Sequence, residues 1–209
     1  TADPVGGNGD GSEEILRIRS DGSDLEQLSD GPDGSASRNP SIGAEGTLAA
    51  FDSDTDPTGG NPDGSREIFR FRLDGSELIQ LTAGPEGTTS RAPRIDGPGS
   101  WIVFESNADL TGRNPDGGYE VFRVRGDGSG LEQLTDSASQ PSRSPDVSDD
   151  GARVVFSSPA DPVGGNPEGN VEVFVFDADG GQIRQLTSFP SGSSAAPRIS
   201  GDGSWTYFV

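Results

Sequence analysis

Apolar and polar residues alternate along this chain in short, evenly spaced runs. From Glu67 to Arg72 the order Glu-Ile-Phe-Arg-Phe-Arg sets apolar against polar residues at period two, which predicts a half-buried strand. A tight Asp74-Gly75 turn follows, and Glu77 to Thr82, Glu-Leu-Ile-Gln-Leu-Thr, reads as a second strand. Beyond a Gly/Ser/Pro loop comes a short segment around Pro93-Arg94-Ile95. After Gly97 to Gly99 the run Ser100 to Phe104 is almost wholly apolar, so it should be buried on both faces. Equivalent hairpin turns stand at Asp21-Gly22, Asp127-Gly128 and Asp179-Gly180, and no stretch has a helical period.

The alternation is itself repeated. Segments opening at Thr1, Asp54, Asn107 and Pro159 align, and their aspartates Asp3, Asp56, Asp109 and Asp161 differ by 53, 53 and 52 positions. A fixed period in this range means stacked copies of one supersecondary unit, none able to bury its apolar face alone. Four short antiparallel strands per unit describe a propeller blade. The expected fold is therefore all-β, a four-bladed β-propeller forming one domain over residues 1–209. The first copy begins just before its third strand, Glu14 to Arg19, and the last ends on its second, Trp205 to Val209. Three blades are contiguous, from Arg38 to Leu81, Arg91 to Leu134 and Arg143 to Leu186. The last blade is expected to be closed by N- and C-terminal strands, Glu14 to Leu28 with Ala195 to Val209, which removes two exposed edges.

The pieces Phe-Arg-Phe-Arg-Leu-Asp-Gly-Ser and Gln-Leu-Thr, with the Pro-x-Ile/Val segment before a Gly turn and a Val-Phe strand, resemble the TolB-like (WD-type) bacterial propeller repeat. The resemblance covers all four copies. It implies an exported or envelope-associated protein serving as a protein-binding platform or as a domain attached to an enzyme. The chain departs from that pattern in having longer repeats, with the extra length between the second and third strands, and four copies where the familiar ring has six blades. An eight-bladed ring from two chains, or a strand-exchanged oligomer, stands beside the monomer that closure within one chain would give.

The added loop carries the candidate chemistry. It runs Asp, four residues, Asn, one residue, Asp or Glu, Gly, two residues, Glu. The four copies supply Asp3, Asn8, Asp10 and Glu14; Asp56, Asn61, Asp63 and Glu67; Asp109, Asn114, Asp116 and Glu120; and Asp161, Asn166, Glu168 and Glu172. Oxygen ligands at alternate positions, a Gly for a sharp turn and a later carboxylate suit calcium. The loop resembles the calcium loops of other propellers and of EF hands, but has Gly6, Gly59, Gly112 and Gly165 at the expected first ligand position. Asn-Pro-Asp-Gly is also good turn sequence, and on that reading the glutamate merely starts a strand and pairs with an arginine.

A second repeated feature is Ser-Arg-x-Pro, which places Arg38, Arg91 and Arg143 where, in TolB-like blades, the innermost strand starts near the channel mouth. Ala195 takes that place in the fourth copy. Such arginines bind an anionic ligand or a partner's carboxylate, or else pair internally with aspartates. Arg17, Arg70 and Arg123, with Arg19, Arg72 and Arg125, alternate along the third strands as a solvated face would. Trp101 and Trp205 match one another, and core packing is expected of them over sugar stacking.

Composition narrows function. A net charge of −20 and a hydrophobic fraction of 29% would suit disorder, were it not for the repeats. All fifteen basic residues are arginine, and the chain has no His, Cys, Lys or Met. That removes Ser-His-Asp and thiol catalysis and ordinary zinc, copper or haem ligation, leaving oxygen ligands for hard cations. An acidic surface repels phosphate, so no nucleic-acid partner is expected. No stretch is long enough for a membrane helix and no signal peptide is visible, and the chain opens at Thr1 without Met, as a processed product would. The reading is a non-enzymatic, calcium-stabilised interaction module, extracellular or periplasmic, with a protein or glycan partner. A surface array or filament subunit is one alternative. A carbohydrate-active hydrolase using paired carboxylates is another, although no carboxylate stands outside the repeat.

Overall fold

A computed structural model describes residues 6, 8–9, 11–137 and 140–209. Strands β1 (Leu16–Arg17) and β2 (Glu26–Gln27) form an N-terminal hairpin. Three four-stranded antiparallel sheets follow in chain order. The first holds β3 (Ser37–Ile42), β4 (Leu48–Ser53), β5 (Glu67–Arg72) and β6 (Leu78–Gln80). The second holds β7 (Ser90–Ile95), β8 (Trp101–Ser106), β9 (Glu120–Arg125) and β10 (Glu132–Gln133). The third holds β11 (Arg143–Val147), β12 (Arg153–Ser158), β13 (Glu172–Asp177) and β14 (Gln182–Gln185). A C-terminal hairpin of β15 (Arg198–Ile199) and β16 (Thr206–Tyr207) ends the array.

The three complete blades match the sequence expectation, with β3, β7, β11 and β15 lying side by side as the inner strands. The closing blade does not form in this structure. Each terminal hairpin is a separate two-stranded sheet, and Ala195 and Val209 exchange backbone hydrogen bonds within the C-terminal one. Among the described residues no hydrogen-bonded ladder joins β1 to β16, and each hairpin is anchored instead on its neighbouring blade. Ile15 packs with Phe51, Phe69 and Phe71 of the first blade, whereas the Ile199 N–H donates to Asp146 of the third.

Stacking, rather than a single sheet face, makes the core. Ile68, Ala50 and Leu81 of the first blade meet Ile95, Phe104 and Phe122 of the second. Val103, Val121 and Leu134 of the second meet Phe156, Phe174 and Phe176 of the third. Within each blade one cross-strand phenylalanine pair stacks at 5.6 Å: Phe51 on Phe69, Phe104 on Phe122 and Phe156 on Phe174. The third strands are consequently buried on both faces, not half-buried as their alternation predicts. Arg70 is covered with them. Its Nε donates to the Gly126 carbonyl of the next blade at 2.9 Å, and Arg17 likewise reaches Leu73 O. The expected solvated arginine face thus survives only at Arg19, Arg72 and Arg125.

Two local features complete the stack. In Ser-Arg-x-Pro the x residue adopts a left-handed backbone in every copy, at Asn39, Ala92, Ser144 and Ala196 with φ of 50–54°. The register of the inner strand shifts there, at Arg38/Ser41, Arg91/Arg94 and Arg143/Asp146. The twist presents a backbone N–H to the preceding blade: Ala92 N donates to Asp52 Oδ1 at 2.9 Å and Ser144 N to Glu105 Oε2 at 2.7 Å. In the third blade's outer hairpin the left-handed glycine is Gly181, at φ 61°, one position after the expected Asp179-Gly180 turn.

Candidate functional site

The repeated loop folds around two buried side chains. Asn61 is covered, and its Nδ2 donates to Thr55 O at 3.0 Å and Ser65 O at 2.8 Å. Asn114 and Asn166 make the same bonds, to Ala108 O and Gly118 O and to Ala160 O and Asn170 O. Asn8 donates to Ser12 O at 2.7 Å. The upstream aspartate closes the loop from outside, because Asp56, Asp109 and Asp161 accept the N–H of Asn61, Asn114 and Asn166 at 2.8–2.9 Å. Asp63 accepts Ser65 N at 3.0 Å and Asp116 accepts Gly118 N at 3.3 Å, forming local turns.

The last glutamate of the pattern turns inward. Glu67, Glu120 and Glu172 are almost fully buried and each accepts the hydroxyl of the residue fifteen positions on: Thr82, Thr135 and Thr187. The second carboxylate oxygen takes a loop N–H, from Gly84 at 2.6 Å, Ser137 at 2.9 Å and Phe189 at 2.8 Å. The threonine oxygen in turn accepts Ile68 N, Val121 N and Val173 N at 2.8–2.9 Å. Glu14 repeats the arrangement with Ser29 and Gly31. Burial raises the pKa of Glu67 and Glu120 above the ordinary 4.5, although the hydroxyl and amide donors oppose it. Asp63 is held below its ordinary 3.8 by the Ser65 backbone and hydroxyl donors.

The structure divides the candidate calcium ligands between two environments. The upstream Asp56, Asp109 and Asp161 and the turn residue Glu168 are exposed, while the final glutamate is committed to the interior. No three carboxylates gather among the described residues. Asp3 and Asp10 lie outside the described residues. The threonine partners went unnoticed as site residues in the sequence. Their signal was the constant spacing of fifteen from the glutamate to the last residue of Gln-Leu-Thr.

The three candidate arginines separate into two groups. Arg38 pairs with Glu13, its Nη2 donating to Oε1 at 2.8 Å, and that bond lowers the Glu13 pKa. Arg91 and Arg143 both come onto the Tyr119 ring, with guanidinium carbons 4.6 and 4.2 Å from its centroid. Arg91 Nε also donates to Glu105 Oε1 at 2.8 Å, whereas Arg143 Nη1 stands 4.0 Å from the same oxygen. Arg143 therefore has a partly exposed guanidinium without a tight carboxylate partner, above a shallow cavity lined by Asp116, Tyr119, Pro141 and Arg143. Trp101 is half-buried against Arg123 and Arg125, while Trp205 is exposed, so the expected core role holds for neither in full.

No family model matches the chain. An uncharacterized protein of Agrobacterium fabrum (strain C58), Atu1656, is 34% identical over 145 residues, which are 66% of this chain and 44% of that protein. The chain thus spans less than half the length of the curated relative it matches. A solved TolB structure from Agrobacterium tumefaciens superposes with a TM-score of 0.64 at 23% identity, covering 97% of this chain and 68% of the other. An oligogalacturonate lyase in complex with manganese superposes at 0.63 with 14% identity, covering 93% and 52%. These likenesses show a TolB-like propeller fold.

The buried network sets three expectations. Thr135→Val keeps the side-chain shape but strips partners from both Glu120 and Val121 N, and should cost about 2–4 kcal/mol in denaturant unfolding. Exposed Ser20→Ala, a control in the N-terminal hairpin turn, should stay within about 0.5 kcal/mol. Thermal unfolding in calcium against chelator, with magnesium as control, reads the loops directly: equal midpoints mean hydrogen-bonded turns, and a rise given by calcium alone means loops organised around the ion. The pH profile has two arms. The raised Glu67 and Glu120 contribute stability that is present below 4.5 and is lost as pH rises through their folded values. Asp63, Asp127 and Asp202, lowered by serine donors and in Asp202 to about 2, contribute stability present above 3.8 and lost as pH falls. Melting temperature should peak in mildly acid solution; a monotonic rise to pH 8 would contradict the buried carboxylates.

Proposed function

We propose that this chain is a non-enzymatic propeller platform, working outside the cytoplasm, that holds a single carboxylate of a protein or glycan partner against Arg143 and Tyr119. The observation that carries the reading is the Arg91–Tyr119–Arg143 cluster, in which Glu105 bonds Arg91 at 2.8 Å and stands 4.0 Å from the half-exposed Arg143 guanidinium. A guanidinium backed by an aromatic face and beside a cavity recognises a carboxylate with directional hydrogen bonds. The net charge of −20 disfavours polyanions such as nucleic acid, so the accepted group is an isolated carboxylate on a neutral or basic partner. The extracellular or periplasmic setting rests on the TolB-like fold. No helix among the described residues is long and apolar enough to cross a membrane.

The enzymatic alternative finds less support. Among the described loop carboxylates, Asp56, Asp109, Asp161, Glu67, Glu120 and Glu172 each accept a backbone N–H, and the chain has no histidine to act as a base. The likeness to a lyase is one of fold.

The test is a chemical-shift titration with N-acetyl-aspartate N-methylamide, whose side chain is its single carboxylate, using N-acetyl-asparagine N-methylamide as the uncharged control. Perturbation centred on Tyr119 and Arg143 should appear with the acid alone and vanish in Arg143→Ala. Equal responses to both compounds would remove the proposal. Incubation with oligogalacturonate should yield no unsaturated product, and turnover would restore the carbohydrate-active reading.

A further inference from the structure

The dipeptide Asp-Gly occurs twelve times in this chain, and each copy carries the same latent chemistry. A glycine N–H has no Cβ beside it to hinder its attack on the side-chain carbonyl carbon of the preceding aspartate. The attack needs two groups to be free, the glycine N–H and the aspartate carboxyl. The fold can therefore distinguish dipeptides that are chemically identical.

Most copies are held at both groups. Gly22, Gly75 and Gly128 in the outer hairpins donate their N–H to the carbonyl three residues back, Arg19, Arg72 and Arg125, at 2.8–2.9 Å. Gly64, Gly117, Gly151 and Gly203 make the same bond at 2.8–3.3 Å. Gly31 N donates to Glu14 Oε1 at 2.8 Å and Gly97 N to Asp149 O at 3.0 Å. The hairpin aspartates Asp21, Asp74 and Asp127 are capped as well. Each accepts the hydroxyl of the serine two residues on at 2.6–2.7 Å and its N–H at 2.9 Å. The serine hydroxyl, and then its N–H, hold these three carboxyls below the ordinary 3.8, so less of each is the neutral acid whose hydroxyl can leave as water.

Two dipeptides differ. Among the described residues the N–H groups of Gly34 and Gly180 have no acceptor, and the carboxylates of Asp33 and Asp179 accept no hydrogen bond. Asp33–Gly34 still sits inside a closed turn, since Ser35 N donates to Pro32 O at 3.0 Å and Gly34 is held at φ 85°. Asp179–Gly180 lies in the exposed loop from β13 to β14, beyond the last ladder pair of Asp177 with Gln182. The bond that Gly22, Gly75 and Gly128 make has no counterpart at Gly180, because the left-handed residue of this loop is Gly181.

We propose that Asp179–Gly180 is a modification site at which the folded chain converts aspartate to isoaspartate. Gly180 N bonds Cγ of Asp179, the Cγ–OH bond breaks, and one water leaves to give a cyclic succinimide. Water then reopens the ring. Attack at Cγ restores aspartate, whereas attack at the main-chain carbonyl carbon leaves the chain running through Cγ, one carbon longer, with a free α-carboxylate. The sequence of steps is neither an oxidation nor a reduction, and water is its only co-reactant. Asp33–Gly34 is the slower second site, because its turn must open first. This inference is independent of the carboxylate site at Arg143 and Tyr119.

The test ages the folded 209-residue chain at neutral pH and maps isoaspartate by mass spectrometry of its peptides, beside the same chain aged in urea. In urea the hydrogen bonds are gone, and the dipeptides should react at similar rates. In buffer each bond that must open first slows the reaction about fivefold, so two bonds place Asp74 and Asp127 roughly thirtyfold below Asp179. Gly180→Ala should remove isoaspartate from this loop and leave the fold intact. Gly180 lies outside the left-handed region, and a Cβ there meets only Gln182 Cγ, at 3.8 Å. Isoaspartate forming in the folded chain at Asp74 and Asp127 as fast as at Asp179 would overturn the proposal. So would its absence from Asp179 in buffer when the urea sample contains it.

Discussion

A buried glutamate at the start of each third strand is the constraint from which the blade geometry follows. Glu67, Glu120 and Glu172 are removed from water as charged or protonated groups, and such a group is tolerated only if its oxygens are satisfied. The threonine fifteen residues later does this while its own oxygen accepts a strand N–H. One residue thereby fixes the start of the third strand, the end of the fourth and the loop beyond it. The loop before it is fixed by the buried asparagine. Removing either partner leaves an unpaired polar atom in the interior, so the network is held by the cost of its alternatives more than by its net attraction.

Blade is joined to blade by a different set of contacts. Apolar clusters fill the space between neighbouring sheets, and the third-strand arginine of one unit bonds the carbonyl of the next, Arg17 to Leu73 and Arg70 to Gly126. Inner turns continue the connection, with Gly97 N on Asp149 O and Asp149 N on Gly201 O. The left-handed residues Ala92 and Ser144 turn their N–H groups onto carboxylates of the preceding blade. A backbone cost of about 1 kcal/mol at each such residue is the order expected for a non-glycine in that region. The contacts it permits are between blades, which is why the distortion recurs once per repeat. Stability in such an array is a sum over neighbours, and the two ends each lack one.

Much of this was legible in the repeat. The strands, the Asp-Gly hairpins and the four-fold spacing are local properties of alternation and turn chemistry, and they follow from residues near in sequence. The candidate loops were legible as positions but not as chemistry. Asp56, Asn61, Asp63 and Glu67 are spaced as calcium ligands would be, yet spacing does not say which side of the chain each faces. Asn61 and Glu67 point inward and Asp56 and Asp63 engage backbone N–H groups, so one pattern serves two environments. Tyr119 was overlooked because it precedes a strand and belongs to no repeat motif; only folding brings Arg91 and Arg143 onto its ring.

Local residue order sets the unit: strand, hairpin, loop and the succession of four copies. It does so because alternation, turn propensity and periodicity act over a few residues and need no knowledge of neighbours. Packing across the sheets settles which arginines are buried, that Trp101 is half-buried against Arg123 and Arg125 while Trp205 is exposed, and that the terminal hairpins stand as separate sheets. Those outcomes depend on what lies across each sheet face. Identical repeat positions such as Trp101 and Trp205 differ only in whether a following blade is there to meet them.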